Sequence, residues 1–523
     1  MRTLKIYIAL SVSSLITNIF PPAACADIIK LKSGAKIEGK ITEKNAQLLK
    51  IDYEGIILTY FLEDIESIDG RSPFASQDTL DTRQQIKQGP DEKPGVEDAS
   101  VIFNNGISSM KKEEYTLALS DFNKAIELKP DMPEAYFNRG LVHLRKKDFV
   151  SALSDFNKAI ELKPDMPEAY FNRGTVYSDK QDFDLALSDF NKAIELKTDM
   201  PEAYLRRSEV YNYYGNFEKA ISDCTRAVEL RPGYSRGYIN RGFIYHNKGE
   251  YTQAILNFSK AIAINPDDAS AYRSRARSRR FIGDYTNAIS DYSKVIEMEP
   301  GDFQAYSMRG WCYARQGDYN RSIDDCNKAL EINPDFSEAY AYRGFSYAML
   351  GEEERANFDF NKGLAISPDN IKDVYTKRGL AYAMKGRYEE AVSNLSMVIQ
   401  SDPDYAEAYF DRGLTFYLKG DYEQATTDFT KSMEIIPNYM EAYTKRCSAY
   451  IKKGLPEQAI PDCDKAVEIN PDFAENYAAR STAYFIMQDY NNSWIDINKA
   501  ESLGFQVDPV FIAELKKASG REK

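Results

Sequence analysis

The sequence predicts an all-α solenoid of about twelve helical hairpins, preceded by a small all-β domain. Three observations predict it. From Ala99 onward the chain repeats itself with a period of 34 residues. Within each period, apolar and small residues recur at spacings of three and four in two successive stretches, which marks two amphipathic helices. Before the repeats, residues 27–70 alternate apolar and polar residues in short runs, which marks strands.

Composition bounds the rest. At 523 residues the chain is too long for one ordinary compact domain. Apolar residues make up 43%, enough for a large core, so bulk disorder is excluded. The formal net charge of −13 argues against a general nucleic-acid coat, because phosphate binding needs a basic face. It leaves room for a local basic site.

The N-terminus reads as an export signal over residues 1–26. A basic start, "MRTLK", precedes the apolar run "IYIALSVSSLITNIF". Ala24-Cys25-Ala26 then fits the small-x-small cleavage rule, giving a mature start at Asp27. The expectation is an exported protein, periplasmic or extracellular, with an uncleaved anchor as the alternative. Cys25 has a second reading. "PAAC" loosely resembles a bacterial lipobox, with Pro22 where that motif usually has Leu. A lipidated Cys25 would tether the protein to a membrane without spanning it.

Residues 27–70 hold five candidate strands, "DIIKLK", "KIEGKIT", "LLKIDY", "IILTYF" and "IESID", with turns at Ser33-Gly34 and Glu54-Gly55. In pattern this resembles SH3-like or Sm-like small barrels. Residues 71–98 lose all periodicity, are polar and Pro/Gly-dotted, and read as a flexible linker.

The repeats occupy residues 99–506. Aligned on the residue after the recurring Arg of "AYFNRG", the anchors run from Gly106, Gly140 and Gly174 to Cys447 and Ser481. In the second unit, numbered 1 to 34 from Pro133, apolar or small residues fall at Tyr136, Gly140, His143, Phe149, Ala152, Phe156, Ala159 and Leu162. Pro164 and Asp165 end the second helix and Pro133 starts the first. These residues closely resemble the tetratricopeptide repeat family over roughly 400 residues. The resemblance implies a right-handed superhelix whose first helices line a concave, ligand-binding groove. The departure is position 7, usually Leu in the family, which here is Arg in eleven units. Residues 507–523 supply a capping helix, with Asp508 as N-cap, Pro509 as first helical residue and an apolar stripe of Val510, Phe511 and Leu515.

The position-7 arginines travel with an acidic position 23: Arg139 and Asp155, Arg173 and Asp189, Arg207 and Asp223, Arg275 and Asp291. The expectation is a structural ladder in which each Arg reaches the Asp of the unit before it. The first unit has Asn105 instead, with no preceding Asp to meet.

A second arginine population is a candidate binding site. Arg273, Arg277 and Arg280 are spaced i, i+4, i+7 and share one helical face. The resemblance places that face in the groove, with Arg206, Arg236, Arg315, Asn240 and His246 nearby. A solvated charged face is the plain alternative. In the first three units the same face reads Phe103-Asn104, Phe137-Asn138 and Phe171-Asn172, an apolar seat beside an amide able to bond a peptide backbone. Recent duplication also explains that regularity, since Ala118–Gly140 and Ala152–Gly174 are identical. Trp311, Phe345, Phe410, Leu414 and Tyr417 make the later units more apolar on this face, either as a partner strip or folded against another unit.

No metal spacing, phosphate loop, nucleophile elbow or acid/base pair occurs, so neither a cofactor, a metal nor catalysis is expected. Cys224, Cys326 and Cys463 stand at the buried position 24; Cys312/Cys326 and Cys447/Cys463 are candidate helix-to-helix disulfides. The functional expectation is an exported, non-catalytic interaction scaffold that holds an acidic peptide or a terminal carboxylate on Arg273, Arg277 and Arg280. Two alternatives stand beside it: an envelope organiser that binds an anionic polysaccharide, and a spacer tethered to a membrane through Cys25.

Overall fold

The structure, a computed structural model, describes residues 27–31, 36–44, 48–53, 56–61, 65–68, 98–368 and 371–521. The expected leader, Cys25 and nearly all of the expected linker lie outside these residues. The chain divides at Arg207/Ser208 into two compact parts.

The first part begins with strands β1 (Asp27–Leu31), β2 (Lys36–Lys44), β3 (Leu48–Tyr53), β4 (Ile56–Phe61) and β5 (Ile65–Ile68). They pair antiparallel in the order β4-β3-β2-β1-β5. The register shifts at Lys30/Leu31 and at Ile41/Glu43, where a residue without a partner bends the strand.

The described residues then form twelve helical hairpins and one final helix. The second hairpin shows how sequence makes the unit. Pro133 opens the first helix, Pro133–Arg145, where its missing N–H costs nothing. The second helix, Phe149–Leu162, starts at Asp148, whose side chain accepts the Ser151 N–H at 3.2 Å. Equivalent caps of second helices recur at Asp284, Asp318, Asp421 and Asp489, while Asp268 and Asp302 cap first helices.

The two helices meet at a seam of one small and one large residue. At Gly140 a Cβ would stand 2.8 Å from Phe156 Cε1, and Gly106 and Gly174 face Phe122 and Phe190 equally closely. Phe122, Phe156 and Phe190 are fully buried. The eleventh hairpin replaces this seam by a covalent one, with Cys447 and Cys463 disulfide-bonded and their Cα atoms 5.7 Å apart. Cys312 and Cys326 do not pair: Cys326 occupies the seam opposite Gly310, while Cys312 lies two positions further on. Both stay buried thiols, as does Cys224, which bonds Ser208 Oγ at 3.1 Å. Burial pushes the Cys224 and Cys312 thiols up to about 12.

The final helix, Pro509–Ser519, is capped by Asp508. Leu515 packs on Trp494 and Ile497, and Phe511 meets Phe485 edge-on at 5.2 Å. Val510 departs from the expected stripe and is 64% exposed, because the first turn of so short a helix projects past the last hairpin.

Within each hairpin the chain turns through one residue with a left-handed backbone. Most hairpins of the second part place glycine there, as at Gly249 and Gly317, but Glu113, Lys147 and Gln181 take φ near +60° in the first three. An L side chain in this region is disfavoured by roughly 1 kcal/mol. Lys147→Gly is therefore expected to stabilise the protein by no more than about 0.5 kcal/mol once the added freedom of the unfolded chain is counted, read as a small rise in the midpoint of urea unfolding.

Candidate interaction surface

The arginine ladder differs from its expected wiring. The Arg closes on position 23 of its own hairpin, sixteen residues on, an Asp in most hairpins and an Asn for Arg241 and Arg378. Arg139 Nε and Nη2 donate to the two Asp155 oxygens at 2.9 and 2.6 Å. Arg173 holds Asp189 at 2.8 and 2.7 Å, and Arg275 holds Asp291 at 2.9 and 2.6 Å. Position 7 adjoins the seam glycine and position 23 the seam aromatic, so the close approach of the two helices brings the pair together. What crosses to the preceding hairpin is the remaining Nη1. It reaches Asn123 from Arg139, Asn157 from Arg173 and Asn191 from Arg207, each at 2.7 Å, and Ser259 from Arg275 at 3.0 Å.

The acceptor stands at position 25, where every hairpin has Asn, Ser, Thr or Asp. That run of short polar residues was the signal for the link between hairpins. It also corrects the account of Asn105. Asp121 is present in the same hairpin, accepting Ser109 Oγ at 3.3 Å; what the first hairpin lacks is a preceding acceptor. Without an Arg, burial pushes the Asp121 carboxyl above its ordinary range. Asp223 is buried as well. Arg279 joins the ladder, its Nη1 reaching Asp291 at 2.5 Å beside Arg275.

The Phe-Asn pairs are not an open seat. Phe103 and Phe137 are buried and Phe171 is half-buried. They pack on the seam aromatics with ring centroids 5.8, 5.9 and 6.1 Å apart. Asn104 and Asn138 are buried with them, and Asn138 and Asn172 turn their amide N–H inward to the Glu134 and Glu168 carbonyls at 2.8 Å.

The three central arginines are not one patch. Arg273 is held by Glu299 and Asp302 at 2.5 and 2.6 Å. Arg280 points into the protein, with Nη1 2.9 Å from Met308 Sδ and its guanidinium beside Tyr292, Cys312 and Tyr342. Arg277 alone of the three is exposed. Arg206 is half-buried. Arg315 donates to Glu441 at 2.9 Å, a bond across 126 residues of sequence. His246 lies against Tyr251 and Phe281 with its Nδ1 2.9 Å from Ser278 Oγ. Burial, then Arg277 and Arg280, hold its pKa down at about 3, so the ring is neutral. Asn240 donates to Glu209 at 2.9 Å.

The spacing of three and four puts these residues on one helix face; what it cannot show is that the second part closes over much of that face with its own acids and aromatics. Lys377 donates to Glu407 and lies 4.5 Å from the centroid of Trp311, whose ring stacks on Tyr342. Tyr285 joins Arg315 on Glu441 at 2.8 Å. Among the described residues no group of three or more His, Cys, Asp or Glu is placed to hold a metal.

Position 9 of successive first helices shows where the covering starts. Phe243 is 37% exposed and Arg277 is exposed, while Trp311 and Phe345, next in the row, are 2% and 5% exposed. Arg236 flanks the open stretch with its side chain 56% exposed and a loose 3.5 Å contact to Glu209.

Stacked two-helix hairpins, most of them sealed by a small–large seam and joined to the neighbour through position 25, define a helical-repeat protein. Family models identify the repeat. A tetratricopeptide repeat model matches residues 133–166, 167–199, 235–268, 303–336 and 441–473. Related repeat models match 109–147, 201–234, 326–356, 379–420 and 406–439. Together they cover more than half of the sequence, and the chain belongs to the tetratricopeptide repeat family. None of them reaches residues 27–70, so the likeness of that region to SH3-like or Sm-like barrels gains no support.

No curated protein matches the chain. Among solved structures it is similar to yeast Tom70, at 17% identity over 81% of this chain and 96% of that one, with a TM-score of 0.40. It is also similar to a tetratricopeptide repeat protein from Parabacteroides merdae, at 24% identity over 45% and 93% and a TM-score of 0.36. A third is YrrB, a repeat protein with an unusual peptide-binding site, at 22% identity over 36% and 97% and a TM-score of 0.32.

The ladder wiring yields an asymmetry between its two partners. Asp155→Asn copies the natural Asn257, which accepts from Arg241 at 2.7 Å, and is expected to cost about 1 kcal/mol or less. Arg139→Met leaves the Asp155 carboxylate buried and unpaired and is expected to cost about 3 kcal/mol. Urea unfolding of the two variants checks the order.

Proposed function

We propose that this protein is a non-catalytic interaction scaffold that holds an extended acidic segment of a partner protein, or its terminal carboxylate, at the open end of its inner face. Tetratricopeptide repeat proteins generally bind protein or peptide partners, which supports the class. The observation that carries the particular site is the row ending at Trp311: Phe243 and Arg277 sit at the same position of neighbouring first helices and remain accessible, with Arg236 beside them. Phe243 offers an apolar face for a side chain of the segment. Arg236 and Arg277 offer charge-assisted hydrogen bonds to carboxylates, and the loose Arg236–Glu209 contact is one that a ligand carboxylate replaces at little cost. Arg273, Arg280 and Arg315 are less exposed than Arg277 and have no direct part in this reading.

The same proposal places the protein outside the cytoplasm. The leader-like residues 1–26 support this, and the Cys447–Cys463 disulfide is in keeping with an oxidising compartment. Lipidation at Cys25 would hold the repeats at a membrane surface, and mass spectrometry of the mature N-terminus distinguishes it from cleavage before Asp27. A small barrel at residues 27–70 would then stand between that surface and the repeats.

The test is a titration of acidic and matched neutral peptides, followed by fluorescence polarisation, with the native protein and Arg236→Glu/Arg277→Glu. Acidic peptides are expected to bind the native protein with an affinity that falls with salt, and the double variant to lose at least tenfold. Equal binding by both proteins sinks the site. Competition by anionic polysaccharide alone, with no binding of acidic peptides, would move the reading to a glycan ligand.

A further inference from the structure

The inner face of residues 208–523 is closed by contacts between hairpins far apart in sequence. Thr252 Oγ1 donates to the Ile469 carbonyl at 2.9 Å, and Asn470 Nδ2 donates to the Ile282 carbonyl at 2.7 Å. Tyr251, Ile282, Met440 and Ile469 form a small apolar plug between these bonds. Gly283 is part of the fit: a Cβ there would come within 3.1 Å of the Met440 methyl, and its φ of +71° suits glycine. The fifth and sixth hairpins thus meet the eleventh, whose two helices are tied by Cys447–Cys463 and move as one piece.

This contact is thin, and the interior behind it opposes closure. Asp411 Oδ2 and Arg280 Nε are buried and have no hydrogen-bond partner among the described residues. Water would satisfy both in an open arrangement, and leaving buried polar atoms unpaired is costly. Two hydrogen bonds, one shared carboxylate at Glu441 and a small plug therefore work against orphaned polar atoms.

We propose that the contact of the fifth and sixth hairpins with the eleventh is a clasp that opens and closes, and that it shuts off an inner charged face bearing Arg280, Arg315, Lys377, Glu407 and Asp411. In the closed state this face is withheld from any charged peptide segment; opening presents it. The inference does not depend on the site at Phe243 and Arg277, which is accessible with the clasp closed.

Proton linkage gives the clasp a direction. Asp411 is pushed up to about 8, first by burial, then by Glu407 on its own helix and by Glu441 from the eleventh hairpin; Lys377 and Arg315, from two further helices, pull the other way without prevailing. Tyr439 also faces it. A carboxyl raised in the closed state binds a proton that the open state releases. Above the ordinary carboxylate range closure therefore weakens as pH rises towards 8, by up to tenfold in the opening equilibrium per pH unit; Glu407, where burial is outweighed by Lys377 and the carboxyl is held low, opposes closure only at more acid pH.

Spin labels at Gln253→Cys and Glu468→Cys, both exposed, report the jaw distance in the full chain carrying Cys25→Ser. Cys224, Cys312 and Cys326 are buried and Cys447 and Cys463 are bonded, so labelling is selective. Pulsed electron resonance is expected to show a short and a long distance population, the long one growing from pH 5 to pH 8. Asn470→Ala should enlarge the long population several-fold, and Asp411→Asn should remove the pH dependence. The native pH series needs no core substitution. A single short distance at every pH, unchanged in Asn470→Ala, overturns the proposal.

Discussion

The close approach of two helices at a small residue facing a large one is the constraint on which the rest of this protein depends. At Gly140 and Phe156 there is no room for a side chain on one side and no room for solvent on the other. Positions 7 and 23 flank that seam, so the distance it sets is also the distance at which a guanidinium can grip a carboxylate with two parallel bonds. With Nε and Nη2 committed inside the hairpin, Nη1 is left pointing at the neighbour, where a short polar side chain waits. Hairpin closure, ion pairing and stacking are one geometric consequence, repeated along the chain.

Its inner surface follows a different logic. The first helices of the second part carry several charged side chains, and the same part answers them from within. Glu299 and Asp302 take Arg273, Glu441 takes Arg315, and Glu407 takes Lys377. An acidic ligand entering that region would compete with carboxylates already in place. Along position 9 of the fifth to eighth hairpins the face is accessible at Phe243 and Arg277 and covered at Trp311 and Phe345. The protein thus combines a short open stretch with a longer filled one.

The repeat was fully legible in the sequence because helical periodicity and the 34-residue period are local properties, and each hairpin restates them. The Arg–Asp pairing was legible as a correlation but not as a contact. Residues sixteen apart in one hairpin and eighteen apart across two neighbours look alike until the seam fixes which helix faces which. Position 25 was overlooked because Asn, Ser, Thr and Asp look varied as letters yet are alike as short acceptors. The fate of Arg280 and Arg315 was out of reach for another reason. Their partners lie up to 126 residues away, brought in by the closure of the second part, and periodicity carries no information about which distant hairpins meet.

Because a rung closes on its own hairpin, a 34-residue window cut around the second and third hairpins carries one guanidinium, one carboxylate and one acceptor for the next copy. Tandem copying of such a window adds no orphan charge to the ladder and breaks none of its pairs. The identity of Ala118–Gly140 with Ala152–Gly174 is the trace such an event leaves. Had the pairing run between hairpins instead, the ends of the array would hold unmatched charges. As built, the early part of the array can lengthen or shorten by whole hairpins without rewriting its ladder, whereas the later part is held to its length by pairs such as Arg315–Glu441.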